Sequence, residues 1–391
     1  MTVTLLLDLD DTLLINPMDA FLPAYLKGLG ARLAPYVAPD RMVKTLLAAT
    51  GEMTRNRRPD QTLEAVFDAA FYPALGLEKS QVHPTIAAFY AEGFPQLKKL
   101  TSPNPQAAAL VEEARRRGWQ IGIATNPIFP RTAIEQRIRW AGFSPQDFDF
   151  TPSYETFHFA KPSPAYFAEF LAQMGGVDGA VVMVGDDWEN DIVAAKQAGL
   201  AAYWLNPDGD GDLSGVLAWV DALPEKEAMG FSTPTAVLAA LRAAPAALQT
   251  FGVFSPQEAW CQPPALNEWC FTEILCHLRD AEIEVNLPRL KAVLTEDNPF
   301  LPGEDMDTWK DTRHYDRQDG ASALQAFMAA RQELLALLEP LPSALQGEWL
   351  RAARHAIFGP TQLFEMITFV AEHDRLHVRQ AKAALSWVLK G

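Results

Sequence analysis

Four short apolar runs constrain the fold of this chain more than any other feature. Val3–Leu7, 120–124, 181–184 and 201–205 are rich in Val, Ile, Leu and Ala without polar alternation, and segments of helical spacing at 107–117 and Pro164–Met174 lie between them. A strand that is apolar on both faces must be covered on both, which strand–helix alternation delivers as a parallel sheet flanked by helices. The expected first half is therefore α/β, a Rossmann-like doubly wound parallel sheet. More than a hundred residues separate the first run from the second, and none of them reads as strand. Helical spacing at Met18–Leu33, 40–50, 62–75 and 84–94 indicates a helical cap inserted at about 16–98.

The pattern changes after Glu225. Long helical segments at 233–248, 267–294, 322–338 and 361–389, separated by Pro-containing loops, predict an all-α four-helix bundle. A chain of 391 residues exceeds one ordinary core. The reading is a first domain at 1–226, with its core at 1–15 and 99–226, and a bundle at 231–391. The boundary falls near 226–231, just after a turn-rich stretch at 206–212. That stretch carries Asp208, Asp210 and Asp212, but Leu213 stands where a calcium loop needs glycine and Trp219 where it needs glutamate, so it reads as surface loop. A net charge of -16 disfavours nucleic acid and anionic membranes as partners. No apolar run reads as long enough to span a bilayer, and the start has no basic leader, so a cytoplasmic protein is expected. Three cysteines, Cys261, Cys270 and Cys276, are odd in number and lack CxxC spacing, which suits free thiols in a reducing compartment.

The chemistry concentrates where the apolar runs end. Asp8-Leu9-Asp10-Asp11-Thr12 follows the first run. Two carboxylates two residues apart on extended chain face one side, so one can attack phosphorus while the other moves a proton on the leaving oxygen. Thr125-Asn126 ends the second run, with a hydroxyl and backbone amides for phosphoryl oxygens. Lys161 precedes a helix and offers a fixed ammonium, and Gly185-Asp186-Asp187-Trp188-Glu189-Asn190-Asp191 supplies carboxylates for Mg2+. Arg55, Arg57 and Arg58 read as a solvated basic turn, and His83 and His158 as structural.

These four motifs, in this order and at strand ends, resemble the haloacid dehalogenase superfamily over roughly residues 1–225. The resemblance implies Asp8 as the nucleophile that forms an aspartyl-phosphate and Asp10 as general acid/base, with its backbone carbonyl on Mg2+. It implies Thr125 and Lys161 as phosphoryl ligands and Asp186 as a metal ligand. Asp187 and Asp191 would ligate through water or orient the site. Dehalogenases of the family lack the second acid, because halide departure needs no proton; with Asp10 present, a phosphatase acting on a small phosphomonoester is the expectation.

In the second half, His373 and His377 share one helix face and His277 sits on another helix, a set suited to one metal ion with an open position. Asp280, Glu372 and Asp374 are the candidate acceptors that would orient these rings. The surrounding residues resemble the DinB/YfiT-like four-helix bundles over about 230–391. That resemblance implies Zn2+ or Ni2+ on His277, His373 and His377 and, in some relatives, transfer of a low-molecular-weight thiol; His355 matches no ligand position. A small phosphorylated metabolite and a thiol are thus the expected partners, with a homodimer allowed. The rival reading is a ligand-binding or regulatory protein in which the bundle, or both domains, binds without turnover.

Overall fold

A computed structural model describes residues 2–206, 211–224 and 231–386. The domain boundary expected at 226–231 falls almost wholly outside these residues, as do 207–210 of the turn-rich stretch. The chain divides into two compact units: Met1–Tyr166 with Val177–Lys196 and Leu200–Met229, and Phe167–Gly176 with Gln197–Gly199 and Gly230–Gly391.

The first unit is built on β1 (Val3–Leu7), whose five residues are all buried. After it come the short β2 (Leu14–Ile15) and the cap helices α1 (Met18–Leu33), α2 (Pro39–Arg55), α3 (Leu63–Leu75) and α4 (Lys79–Ala88). β3 (Ser102–Pro103) then pairs antiparallel with β2, so the two ends of the cap insertion run side by side. The chain continues with α5 (Ala107–Arg116), β4 (Gln120–Ile123), α6 (Arg131–Trp140), α7 (Pro164–Met174), of which residues from Phe167 on fall in the second unit, β5 (Ala180–Gly185), α8 (Ala194–Gln197), whose last residue falls there too, β6 (Ala201–Trp204) and α9 (Val216–Asp221). The sheet order is β4-β1-β5-β6, parallel throughout, with Leu7 beside both Ile123 and Val184. β1 is therefore central, and neighbouring strands end level with it. Leu5, Leu7, Val182 and Val184 are fully enclosed in the core, each worth about 1.5–3 kcal/mol relative to exposure.

Local chemistry sets the cap boundaries. The Thr62 side chain accepts from Ala65 N at the start of α3, and Gly76 ends that helix at φ 70, a left-handed conformation that glycine adopts without strain. The helix expected at 84–94 starts earlier, at Lys79, because a Glu78–Gln81 capping box opens it. It then passes into a π turn at Phe89–Gly93 and a 3-10 turn at Phe94–Leu100. A Cβ on Gly93 would lie 2.8 Å from the Phe89 ring, and Pro95 has no N–H to continue the helical ladder. The helix α6 was not part of the sequence expectation.

The second unit holds α10 (Pro234–Val253), α11 (Phe271–Asp280), α12 (Leu287–Thr295), α13 (Trp309–Thr312), α14 (Gly320–Leu338) and α15 (Leu363–Ala384). A π turn at Ala281–Asn286 joins α11 to α12, so α10, α11–α12, α14 and α15 supply the four long helices of the bundle. The expected helix at 267–294 starts at Phe271, where Cys270 is extended and its N–H donates to Glu273. Thr361 and Gln362 are strand rather than helix: β9 (Gly359–Gln362) pairs antiparallel with β8 (Ala352–His355), which pairs parallel with β7 (Phe300–Leu301). By length and composition alone α10 could cross a membrane, contrary to the expectation that no segment reaches that length, with 67% of its apolar window buried within the protein.

Candidate active site

The first unit gathers its reactive groups at the carboxyl ends of β1, β4 and β5, where open α/β sheets place their ligands. The sheet ladder fixes the starting points: Asp8 N–H donates to Val184 O at 2.9 Å, and Ala124 N–H to Leu7 O at 2.7 Å. Lys161, buried in the loop before α7, donates from Nζ to Asp8 Oδ1 at 2.8 Å and to Asp191 Oδ1 at 2.5 Å. Its backbone N–H reaches Asn126 Oδ1 at 3.2 Å, tying the Lys161 loop to the end of β4. Thr125 is buried at that same end, and its carbonyl accepts from the Tyr166 hydroxyl at 2.8 Å. Thr12 Oγ1 lies 3.5 Å from Asp186 Oδ1.

Asp8, Asp186 and Asp191 each bring a carboxylate oxygen within 4.8 Å of the others. The glycine of the GDxxxxD motif permits this: a Cβ on Gly185 would stand 2.2 Å from Asp191 Oδ2. Burial pushes the Asp8 carboxyl well above its ordinary range, with Lys161 opposing and Asp191 and Asp10 reinforcing the rise. Asp186 is pushed up to about 6 by burial, then by Asp191 and Asp11. For Lys161 burial works against the charged form, but Asp191 and Asp8 outweigh it, so the ammonium stays protonated. One ammonium among three crowded carboxylates leaves excess negative charge on oxygen donors. That donor set fits a hard divalent cation such as Mg2+.

Asp10 faces a different environment. Its Oδ1 accepts from Asn16 Nδ2 at 2.9 Å, and its Oδ2 pairs with Arg137 Nη1. Asp11 turns the chain here at φ 54, and its carboxylate accepts from Asn16 N–H at 2.8 Å. Asp187, grouped with the metal carboxylates in the sequence reading, is exposed and turned away from them. Its Oδ1 accepts from the N–H groups of Glu189 and Asn190 at 3.0 and 2.9 Å, capping the turn that carries Asp191, and its Oδ2 accepts from Asn190 Nδ2. Arg55 and Arg58 pair locally with Glu52 and Asp60.

The second unit brings His277 from α11 together with His373 and His377 from α15. His277 Nε2 and His373 Nε2 are 3.0 Å apart, and each imidazole offers a nitrogen within 4.8 Å of the others. Burial first, then Arg331, lowers His373 to about 4; burial, His373 and His277 lower His377 to about 2. Neutral imidazoles are the ligating form, so the donor set fits a transition metal. The expected acceptors are engaged elsewhere. Asp280 binds Arg279, Arg313 and Tyr315; Glu372 pairs with Arg375; Asp374 pairs with Arg331. Gln380 takes that part for His377, its Oε1 lying 2.7 Å from Nδ1, and the Trp269 ring stacks on the same imidazole. A cavity of about 440 Å³ opens beside Trp269 and Gln380.

Residues 3–199, just over half of the chain, match the sequence model of the haloacid dehalogenase-like hydrolases. The chain belongs to this family. Residues 235–381 match the DinB superfamily. Among curated proteins, the hydrolase part is 30% identical over 130 residues to a phosphoserine phosphatase of Thermus thermophilus, covering 33% of this chain and 51% of that protein. It is 37% identical over 112 residues to the pyrimidine 5'-nucleotidase YjjG of Escherichia coli, covering 28% and 48%. The chain spans about half the length of the curated relatives it matches. Among solved structures, YfiT from Bacillus subtilis, described as a probable metal-dependent hydrolase with an unusual four-helix bundle topology, aligns with 42% of this chain and 93% of its own, at 17% identity and a TM-score of 0.36.

Within this haloacid dehalogenase-like hydrolase, sequence reasoning missed Arg137 and Asn16. The signal for Arg137 lay in its helix. Ala133, Ile134, Ile138 and Trp140 form the buried stripe of α6, and Arg137 falls on it, only 2% exposed. A buried guanidinium on an apolar stripe needs an acid partner, and the half-buried Asp10 supplies one.

Proposed function

We propose that the first unit hydrolyses a small phosphomonoester through an aspartyl-phosphate, with Mg2+ as cofactor. The observation that carries this reading is the pairing of Asp8, 2.8 Å from Lys161, with a second carboxylate, Asp10, two residues on. Asp8 attacks phosphorus as the ester P–O bond breaks. Asp10 gives its proton to the departing alcohol oxygen. It then takes a proton from water as that water attacks phosphorus, releasing phosphate and regenerating Asp8. Lys161 and Thr125 hold the phosphoryl oxygens, and Arg137 and Asn16 hold Asp10. Asp8, Asp186 and Asp191 would hold Mg2+, whose charge would offset that of the carboxylates and the phosphoryl group. The two curated relatives, a phosphoserine phosphatase and a pyrimidine 5'-nucleotidase, support phosphoester chemistry and differ in leaving group. Asp8→Asn removes the nucleophile with little change in shape. Turnover of p-nitrophenyl phosphate should fall at least about a thousandfold while the thermal midpoint holds; undiminished turnover rejects the mechanism.

For the second unit we propose a Zn2+ or Ni2+ site on His277, His373 and His377, with a fourth position for water or a thiolate. The neighbouring 440 Å³ cavity gives such a ligand room. In thiol transfer the thiolate sulfur would bond to the electrophilic carbon as that carbon's leaving group departs with its electron pair. Elemental analysis of the full chain should find one transition metal per protein and lose it in His373→Ala; equal metal content in both disposes of the site. A cytoplasmic setting belongs to the same proposal.

A further inference from the structure

The cap helices enclose a cavity of about 560 Å³ in the first unit, within the range of roughly 300–1,000 Å³ typical of small-molecule sites. Its wall is rich in aromatic rings. Phe67 and Phe71 stack at 4.8 Å, Tyr25 meets Phe129 edge-on at 5.4 Å, and Tyr72, Tyr90 and Tyr154 add further rings among Leu and Ile side chains. Two side chains connect this wall to Asp10. Arg137, paired with Asp10, lies 4.7 Å over the Phe129 ring. Asn16 Nδ2, bonded to Asp10, also lies 3.9 Å from Sδ of the wall residue Met18. A leaving group whose oxygen meets Asp10 therefore has this cavity one side chain away.

The charges and unused hydrogen-bonding groups define what fits. Among the described lining residues there is no Lys or Arg. The acids present are engaged, Glu64 by Lys79 at 2.7 Å and Glu155 by the backbone N–H of Arg131 at 3.1 Å. An anionic leaving group would meet Glu64 and Glu155 with His83 as the one basic side chain among the described lining residues, whereas a flat uncharged ring finds aromatic partners on several sides. Gln136 is anchored through Nε2 to Tyr90 O at 2.8 Å, and its buried Oε1 has no donor among the described residues. An N–H or O–H on the ring substituent would satisfy it.

We propose that the cap cavity is the leaving-group site and selects phosphomonoesters whose alcohol carries an uncharged aromatic ring. This deepens, and rests on, the phosphatase reading above. Its test compares 2-phenylethyl phosphate, ethyl phosphate and O-phosphoserine as substrates of the full chain with Mg2+. The first two have similar leaving oxygens and differ in the ring. The kcat/KM for 2-phenylethyl phosphate should exceed the other two by at least about tenfold. Ala87→Trp, at an exposed lining position on α4, should remove that advantage through KM while ethyl phosphate turnover stays within about twofold. Leu47→Trp on the opposing α2 gives a second way to fill the space. Ethyl phosphate or phosphoserine turned over as well as the aromatic ester, or filled-cavity variants slowed equally on all three, overturns the inference while leaving the phosphatase reading intact. Hydrolysis of none of the three esters overturns both.

Discussion

Replacing Lys161 by methionine removes the cation that, among the described residues, touches Asp8 and Asp191 directly, and the cost can be bounded. Nζ lies 2.8 Å from one carboxylate and 2.5 Å from the other, and all three side chains are nearly or fully buried. At an effective dielectric near 20 each pair is worth about 6–7 kcal/mol, most of it consumed by taking three charges out of water. Without the ammonium the desolvation remains and the attraction is gone. The variant can limit its loss by protonating one carboxyl and sharing that proton between the two. At pH 7 this costs about 4 kcal/mol, from 3.1 units at 1.36 kcal/mol each. The expected destabilisation is therefore about 3–5 kcal/mol, the usual penalty for orphaning a buried partner. Hydrogen exchange in metal-free buffer reads this unit separately from the bundle: amides of β1 and β5 should lose roughly a hundredfold or more of protection, with α14 and α15 unchanged. Adding Asp191→Asn to Lys161→Met removes one of the two orphaned charges and should restore about half of the loss. Unchanged protection in the single variant, or no recovery in the double, refutes the view that Lys161 neutralises both acids.

Three other perturbations test separate parts of the structure. Gly185→Ala puts a methyl 2.2 Å from Asp191 Oδ2, so Asp191 must leave Lys161; phosphatase turnover should fall about a hundredfold, with about 1–3 kcal/mol of overpacking cost visible as a lower thermal midpoint. Arg331→Met leaves Glu282 and Asp374 buried without their shared guanidinium, and exchange protection in α14 and α15 should drop by about 3–5 kcal/mol; an unchanged bundle contradicts it. Tyr25 is raised to about 12, by burial above all, against about 10 in the unfolded chain. A raised folded pKa means stability that is whole below pH 10 and lost as pH climbs to 12, roughly 3 kcal/mol for this one group. Tyr25→Phe should flatten that alkaline loss in urea titrations between pH 9.5 and 12, and an unaltered slope would exclude Tyr25 as its source.

The legible parts of the chain are those fixed by local pattern. β1 and the helices Met18–Leu33 and Pro164–Met174 appear with the bounds their patterns predict, because the apolar periodicity of each is long enough to read, even across Pro23 within the first helix. The strand-end motifs were legible for the same reason: a polar residue following a buried parallel strand must emerge at the carboxyl edge of the sheet. The three short strands of the second unit were not. Phe300–Leu301 has two residues, and Ala352–His355 and Gly359–Gln362 pair with one another only because the turn between them closes. Nothing in a four-residue window distinguishes such a pair from loop.

Side-chain direction marks the deeper limit. Asp280, near His277 in sequence, is one of the candidate acceptors for the imidazoles. Yet Asp280 accepts instead from Arg279, Arg313 and Tyr315, and two of those come from segments more than thirty residues away. Asp187, expected to ligate through water or to orient the site, takes up the orienting place: adjacent to Asp186, its carboxylate turns outward to the N–H groups of Glu189 and Asn190 and caps the turn that carries Asp191. In both cases the strongest available donor, not the nearest chemistry in sequence, decides where a carboxylate points. Arg137 shows the converse. Its misfit on an apolar stripe was visible from α6 alone, but its partner Asp10 lies 127 residues earlier. Sequence therefore gives the acid, the base and the misfit separately, and only the β1–β4 pairing that brings α6 over the start of the cap makes them one site.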